Sequence, residues 1–141
     1  MTRDPPRVTG VLETALYVHD VARSRAFYTR LFGFPVLTED DRLCALDVAG
    51  RAVLLLFRKR GTTETIQIPG GAIPPHDGDG NLHCAFAIPA GDLEAWAERL
   101  RTGGIEIESR VAWPRGGISL YFRDPDGHLV EVATPGVWAT Y

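Results

Sequence analysis

The sequence predicts a single α+β domain spanning 1–141, in which two tandem β-α-β-β-β modules form a curved mixed sheet around a cleft. Three observations lead there. The same order of strand-like and helix-like segments occurs twice, with a repeat of about 70 residues. Phe27 and Leu31 in the first half have the spacing of Trp96 and Leu100 in the second. Gly50 and Gly127 fall in corresponding turns.

Each element follows from local chemistry. Leu12 to Val18 alternates as a strand does, and Asp20 is placed to cap a helix running from Val21 to Leu31. Val21, Ser24, Phe27, Tyr28 and Leu31 share one face of that helix, and Gly33 stops it. Strands are expected at Phe34 to Leu37, Leu43 to Val48 and Ala52 to Phe57. The second half repeats the order: a strand from Leu82 to Ile88, a helix capped by Asp92 and stopped by Gly103-Gly104, then strands at Ile105 to Ser109, Ile118 to Phe122 and Leu129 to Ala133. Asp124-Pro125-Asp126-Gly127 makes the tight turn between the last two. The first module thus covers about 11–58, a linker rich in Gly, Pro, Thr and Asp about 59–81, and the second module about 82–134. A linker of that length inside one domain points to a lid or an interface segment.

One helix covers only one face of a small sheet, so the other faces must enclose something between them. Strand alternation names the side chains that enter. Thr14, Leu16 and Val18 pack under the helix, leaving Glu13, Ala15 and Tyr17 inside; Cys84, Phe86 and Ile88 pack likewise, leaving His83, Ala85 and Ala87. The last two strands add Ser119, Tyr121, Arg123, Leu129, Glu131 and Ala133 to the interior set. The result is a polar cavity with room in it.

Composition narrows the partner. A net charge of −3 carries no basic face for nucleic acid, and no apolar run approaches the roughly 18–20 residues of a membrane span. The N-terminus lacks the apolar stretch of a secretory signal, and two cysteines, Cys44 and Cys84, are too few for a disulfide framework. The expected setting is a reducing cytoplasm, and the expected partner a small molecule. A homodimer is expected, because one chain of this size leaves sheet edges uncovered.

Glu13, His83 and Glu131 are the candidate chemistry. Two carboxylates and an imidazole suit a borderline divalent cation such as Zn²⁺, Ni²⁺, Mn²⁺ or Fe²⁺, with positions left for substrate. Without a cation, two carboxylates in one cleft repel and are costly to desolvate. Glu131 stands between Val130 and Val132 in an otherwise apolar strand, and Glu13 and His83 hold the same position in the two halves. Tyr121 and Ser119 are placed to orient a substrate oxygen, and Arg115 in Pro114-Arg115-Gly116-Gly117 to hold an anion at the mouth. His76 and His128 read as surface residues.

Val18-His19-Asp20-Val21 with Ser24 to Phe34 resembles the opening V-x-D-x-x-x-S-x-x-F-Y-x-x-x-L-G-F of the vicinal oxygen chelate superfamily, and Tyr121 to Val132 is similar to its F-x-D-P-D-G-x-x-x-E. That superfamily groups glyoxalase I, fosfomycin-resistance thiol transferases, bleomycin-resistance proteins, methylmalonyl-CoA epimerase and extradiol dioxygenases. The resemblance implies paired modules around a metal cleft, often in a homodimer, with the family's ligands falling on Glu13, His83 and Glu131. Departures matter. The fourth ligand of glyoxalase I falls on Leu54 or Leu55, Glu13 breaks the two-His-one-carboxylate pattern of the dioxygenases, and the phosphonate-binding Thr and Lys of the fosfomycin enzymes fall on Ala15 and Val111. The resemblance therefore implies a metalloenzyme of lyase, isomerase or transferase type that chelates a small oxygen-rich substrate, with Glu131 or Glu13 moving a proton. The alternative is a metal-free binding protein that sequesters a planar compound, as bleomycin-resistance proteins do.

Overall fold

The structure, a computed structural model, describes residues 3–141. The first half contributes β1 (Glu13–Val18), α1 (Val21–Phe32), β2 (Val36–Glu39), β3 (Leu43–Val48) and β4 (Ala52–Arg58). A hairpin of β5 (Ile66–Ile68) and β6 (Gly71–Ile73) follows in the linker. The second half adds β7 (His83–Ala87), α2 (Leu93–Thr102), β8 (Ser109–Ala112), β9 (Ile118–Arg123) and β10 (Leu129–Ala133). Two tandem modules are therefore present. Each builds its own four-stranded mixed sheet, ordered β1-β4-β3-β2 and β7-β10-β9-β8. The repeat extends to topology: in each, the first strand runs parallel to the last and the rest pair antiparallel.

Local signals explain the helix ends. Asp20 accepts from the Arg23 amide at 3.0 Å, and Gly33 takes φ +72°, where a side chain would be strained. Asp92 does not cap α2 with its side chain; a 3₁₀ turn over Ala90–Asp92 leads into the helix instead. Two strands shift from their expected places. The second begins at Val36 rather than Phe34, with a bulge between Val36 and Thr38. Ile105 and Ile107 alternate like a strand but pack on the core, and pairing with β9 starts only at Ser109.

The two modules share one core made from the helix-bearing faces of both sheets. Leu16, Val18, Leu54 and Leu56 join Leu100, Leu120, Phe122, Val130 and Val132 in one cluster that also takes in the fully buried Tyr28. Phe32 of α1 lies 4.8 Å from Phe86 and 5.2 Å from Trp96 between ring centroids. Polar contacts join the halves as well. The Arg99 guanidinium donates to the Leu31 and Arg30 carbonyls at the end of α1, groups that the helix leaves without partners. Tyr28 donates to the buried Asp124 at 2.8 Å, and Asp124 also accepts from the Asp126 and His128 amides.

His128 is not a surface residue. It is fully buried, its Nδ1 accepts from the Leu82 amide at 2.9 Å, and its Nε2 donates to the Tyr17 carbonyl at 2.6 Å. The carbonyl accepts and the amide donates, so both ring nitrogens are spoken for. His76 stays exposed, but its Nδ1 meets the Tyr17 hydroxyl, which also lies 3.0 Å from Thr62 Oγ1. The linker thereby covers one end of the first sheet's outer face. No helix among the described residues is long and apolar enough to cross a membrane.

Candidate functional site

Because the helix faces are used in the core, the Glu13 face and the His83 face point away from it. Register gathers the second face. Glu131 of β10 lies opposite Tyr121 of β9 on one side and Ala85 of β7 on the other, with Ser119 and Ala133 paired next along. Valines on both sides of Glu131 point into the core, so its carboxylate points to the cavity. His83 starts β7 on the same face.

The geometry around Glu131 is tight. Its Oε2 accepts the Ser119 hydroxyl, which in turn accepts from Trp113 Nε1 at 2.8 Å. Its Oε1 lies 3.3 Å from His83 Nε2, and the residue is only 6% exposed. His83 Nδ1 lies 2.9 Å from the Leu129 carbonyl. A carbonyl can only accept, so Nδ1 carries a proton; with that proton alone the ring turns its Nε2 lone pair to a carboxylate oxygen, and with a second it donates to that oxygen. Lone pair facing carboxylate is repulsive unless a cation, proton or metal, lies between them. Burial, and then the Glu131 charge, hold the Tyr121 hydroxyl above its ordinary pKa, so it remains a hydrogen-bond donor.

A cavity of about 410 Å³ opens beside this pair. Ala85, Ala87 and Ala133 leave the space, and Trp113, Tyr121, Trp138 and Tyr141 wall it. Trp138 and Tyr141 belong to the C-terminal tail, a part of the site that strand alternation does not reach. The tail is held by backbone alone where Gly117 donates to the Gly136 carbonyl at 3.1 Å. A Cβ on Gly117 would sit 2.6 Å from the Gly136 carbonyl carbon. The Tyr141 hydroxyl reaches the Ile88 and Ala133 carbonyls.

Of the candidate residues, His83, Glu131, Ser119 and Tyr121 come together. Glu13 does not join them within one chain. It is exposed at the start of β1, and among the described residues no three His, Cys, Asp or Glu side chains cluster closely enough to hold a metal. Arg115 is exposed in its turn and is not among the cavity-lining residues. Leu55 shares the Glu13 face through its pairing with Ala15, whereas Leu54 is buried in the core. The position nearest to a fourth ligand is thus leucine.

Paired β-α-β-β-β modules with a His-Glu pair on an open sheet face define a fold class, and the family model agrees. The chain belongs to the Glyoxalase/Bleomycin resistance protein/Dioxygenase superfamily, whose model matches residues 10–132. Among individual proteins, it is 44% identical to a metallothiol transferase FosB of Shouchella clausii over 129 residues, covering 90% of this chain and 81% of that protein. It is 26% identical to a metallothiol transferase FosB of Bacillus licheniformis over 133 residues, covering 94% and 79%. A solved lactoylglutathione lyase from Agrobacterium tumefaciens superposes with a TM-score of 0.85 at 31% identity, over 96% of this chain and 99% of that one.

Proposed function

We propose that the chain is a divalent-metal-dependent enzyme acting on a small molecule, with His83 and Glu131 as metal ligands and Glu13 as the third. The observation that supports this most is His83 Nε2 held 3.3 Å from Glu131 Oε1, with Nδ1 tied to the Leu129 carbonyl. A Zn²⁺, Ni²⁺, Mn²⁺ or Fe²⁺ ion fits this donor set. When bound, it would supply Lewis acidity toward two neighbouring substrate oxygens. The protein's own groups do the rest. Leu129 fixes the His83 tautomer, Ser119 holds one oxygen of Glu131, and Tyr121 offers a hydroxyl to orient a substrate oxygen. Glu131 Oε1 or Glu13 accepts and returns a proton at the substrate. The names of the metallothiol transferases and of the lyase support metal-dependent chemistry and leave the substrate open.

The third ligand comes, in this reading, from a second copy in a homodimer. Glu13 and His83 lie on faces turned away from the shared core, and β1 and β7 are both edge strands among the described residues. Val8, Val11 and Leu12, just before β1, are 88%, 79% and 71% exposed, an apolar arm with nothing to cover it in one chain. The buried Cys44 and half-buried Cys84, both free, suit a reducing cytoplasm.

Metal analysis after purification without chelator tests the proposal. About one divalent ion per chain is expected, lost in Glu13→Ala and in Glu131→Ala alike. Mixing those two variants should restore about a quarter of the sites, because half of randomly paired dimers carry one intact cleft. No metal after reconstitution refutes the enzyme reading. The aromatic cavity wall would then favour the second reading, a metal-free binding protein.

A further inference from the structure

Three side chains stand in line at Glu131. Trp113 Nε1 lies 2.8 Å from Ser119 Oγ, and Ser119 Oγ meets Glu131 Oε2. An indole N–H can only donate, so the serine accepts there. An ionised carboxylate can only accept, so the single serine proton goes to Oε2. The line therefore runs one way, from indole to hydroxyl to carboxylate, and each bond polarises the next. Ser119 is fully buried and Glu131 is 6% exposed, so solvent does not compete for the bond between them.

A rival partner is close by. Tyr121 pairs with Glu131 across β9 and β10, and its hydroxyl has both Ser119 and Glu131 as hydrogen-bonding neighbours. Without the indole, the serine is free to turn its proton to the tyrosine oxygen, and Oε2 loses its fixed donor. The indole is held from the backbone. The Trp113 amide donates to the Gly117 carbonyl at 2.8 Å and its carbonyl accepts from the Gly116 amide at 2.9 Å, which closes the turn between β8 and β9. Gly117 also donates to the Gly136 carbonyl, so the tail grips the same turn from outside. The ring is only half-buried, so water could take its N–H at little cost; it reaches a buried hydroxyl instead.

We propose that Trp113 is a positioning residue: through Ser119 it commits Glu131 Oε2 to the protein and leaves Oε1, beside His83 Nε2, as the oxygen offered to a metal ion. The proposal rests on reading Glu131 as a metal ligand. The indole acts only through the serine.

Two measurements on the full chain test it. Proton–nitrogen NMR of the metal-free protein follows the indole N–H signals of the three tryptophans, assigned by their loss in Trp96→Phe and Trp138→Phe. In Ser119→Ala the Trp113 signal should shift and exchange with water much faster. In Glu131→Gln it should shift as well, while the Trp96 signal holds its place in both. Zn²⁺ affinity, read by competition with a chelating dye, should fall about tenfold in Trp113→Phe, the lower end of the range for losing a group behind a ligand. Ser119→Ala should lose at least as much. The double variant should lose no more than Ser119→Ala alone, because the ring has nothing left to act on. Phe keeps a ring in the wall, so an indole that merely packs there predicts wild-type affinity, or losses that add. The NMR measurement stands even where Trp113→Phe does not fold. A Trp113 signal unmoved by Ser119→Ala, wild-type Zn²⁺ affinity in Trp113→Phe, or additive losses in the double variant each overturns the proposal. No Zn²⁺ uptake by the wild type overturns the metal reading on which it rests; normal uptake with an unmoved indole signal overturns the relay alone.

Discussion

Replacing Glu131 by Gln should stabilise the metal-free protein and destabilise the metal-loaded one relative to wild type. The argument starts from two oxygens. In the native chain Oε2 accepts from Ser119, while Oε1 faces His83 Nε2 at 3.3 Å in a residue that is 6% exposed. Gln keeps the shape and the Ser119 bond, and its amide donates to His83 Nε2. A buried charge disappears and a neutral hydrogen bond of about 1 kcal/mol is gained. Adding a modest part of the desolvation cost gives about 2 kcal/mol, or about 5 °C in melting temperature for a domain of this size. Metal reverses the order. At 100 times its Kd an ion adds about 2.7 kcal/mol to wild type, and the variant, with its ligand lost, forgoes nearly all of it. Thermal unfolding at pH 8, where a free imidazole is neutral, should therefore show the variant melting above wild type in EDTA and below it in Zn²⁺ or Mn²⁺. A variant that is less stable in EDTA, or that gains as much from metal as wild type does, refutes the reasoning.

Four further outcomes are expected. Tyr28→Phe removes a donor from the buried Asp124 and should cost about 1–3 kcal/mol in urea denaturation; a loss under about 0.5 kcal/mol would mean that the Asp126 and His128 amides suffice. Burial pushes the Cys44 thiol up to about 11 and Cys84 to about 12, so both should resist Ellman's reagent at pH 8 until urea is added. For the same reason the unfolded chain releases these protons first, and stability should fall as pH rises above about 9, through the folded values; a melting temperature flat from pH 8 to 11 would contradict this. Light scattering should give about twice the 15.5 kDa chain mass, and a monomer mass at micromolar concentration would remove the shared cleft.

The fold was legible where one strand face is covered and the other is not. β10 matches its expected bounds, and β1 and β7 differ by a residue at their ends, because alternation there is enforced by the shared core. β2 was misplaced because all four of its residues are exposed, which leaves no alternation to read. Ile105 and Ile107 show the converse: an apolar alternation that packs on the core without a strand partner. The β5-β6 hairpin did carry a signal, Ile66 and Ile68 before Pro69-Gly70 and Ile73 after it. His128 carried none, since its burial comes from a carbonyl 111 residues earlier in the chain. Parity also shows which face holds Glu13 and which holds His83, but which faces meet is decided by the modules packing helix side to helix side.

The glycine crossing at Gly117 and Gly136 has a consequence for how such a protein changes over generations. The two backbones touch with no side chain between them, and that contact helps to align the Trp113 turn with the tail bearing Trp138 and Tyr141. Frame and lining are thus separately heritable. Mutation can swap an indole for a smaller or more polar group on the lining while the glycines keep the aperture in place, so ligand preference is free to drift with little disturbance to the folded chain. Substitution at either glycine has no such freedom, for it moves both walls at once.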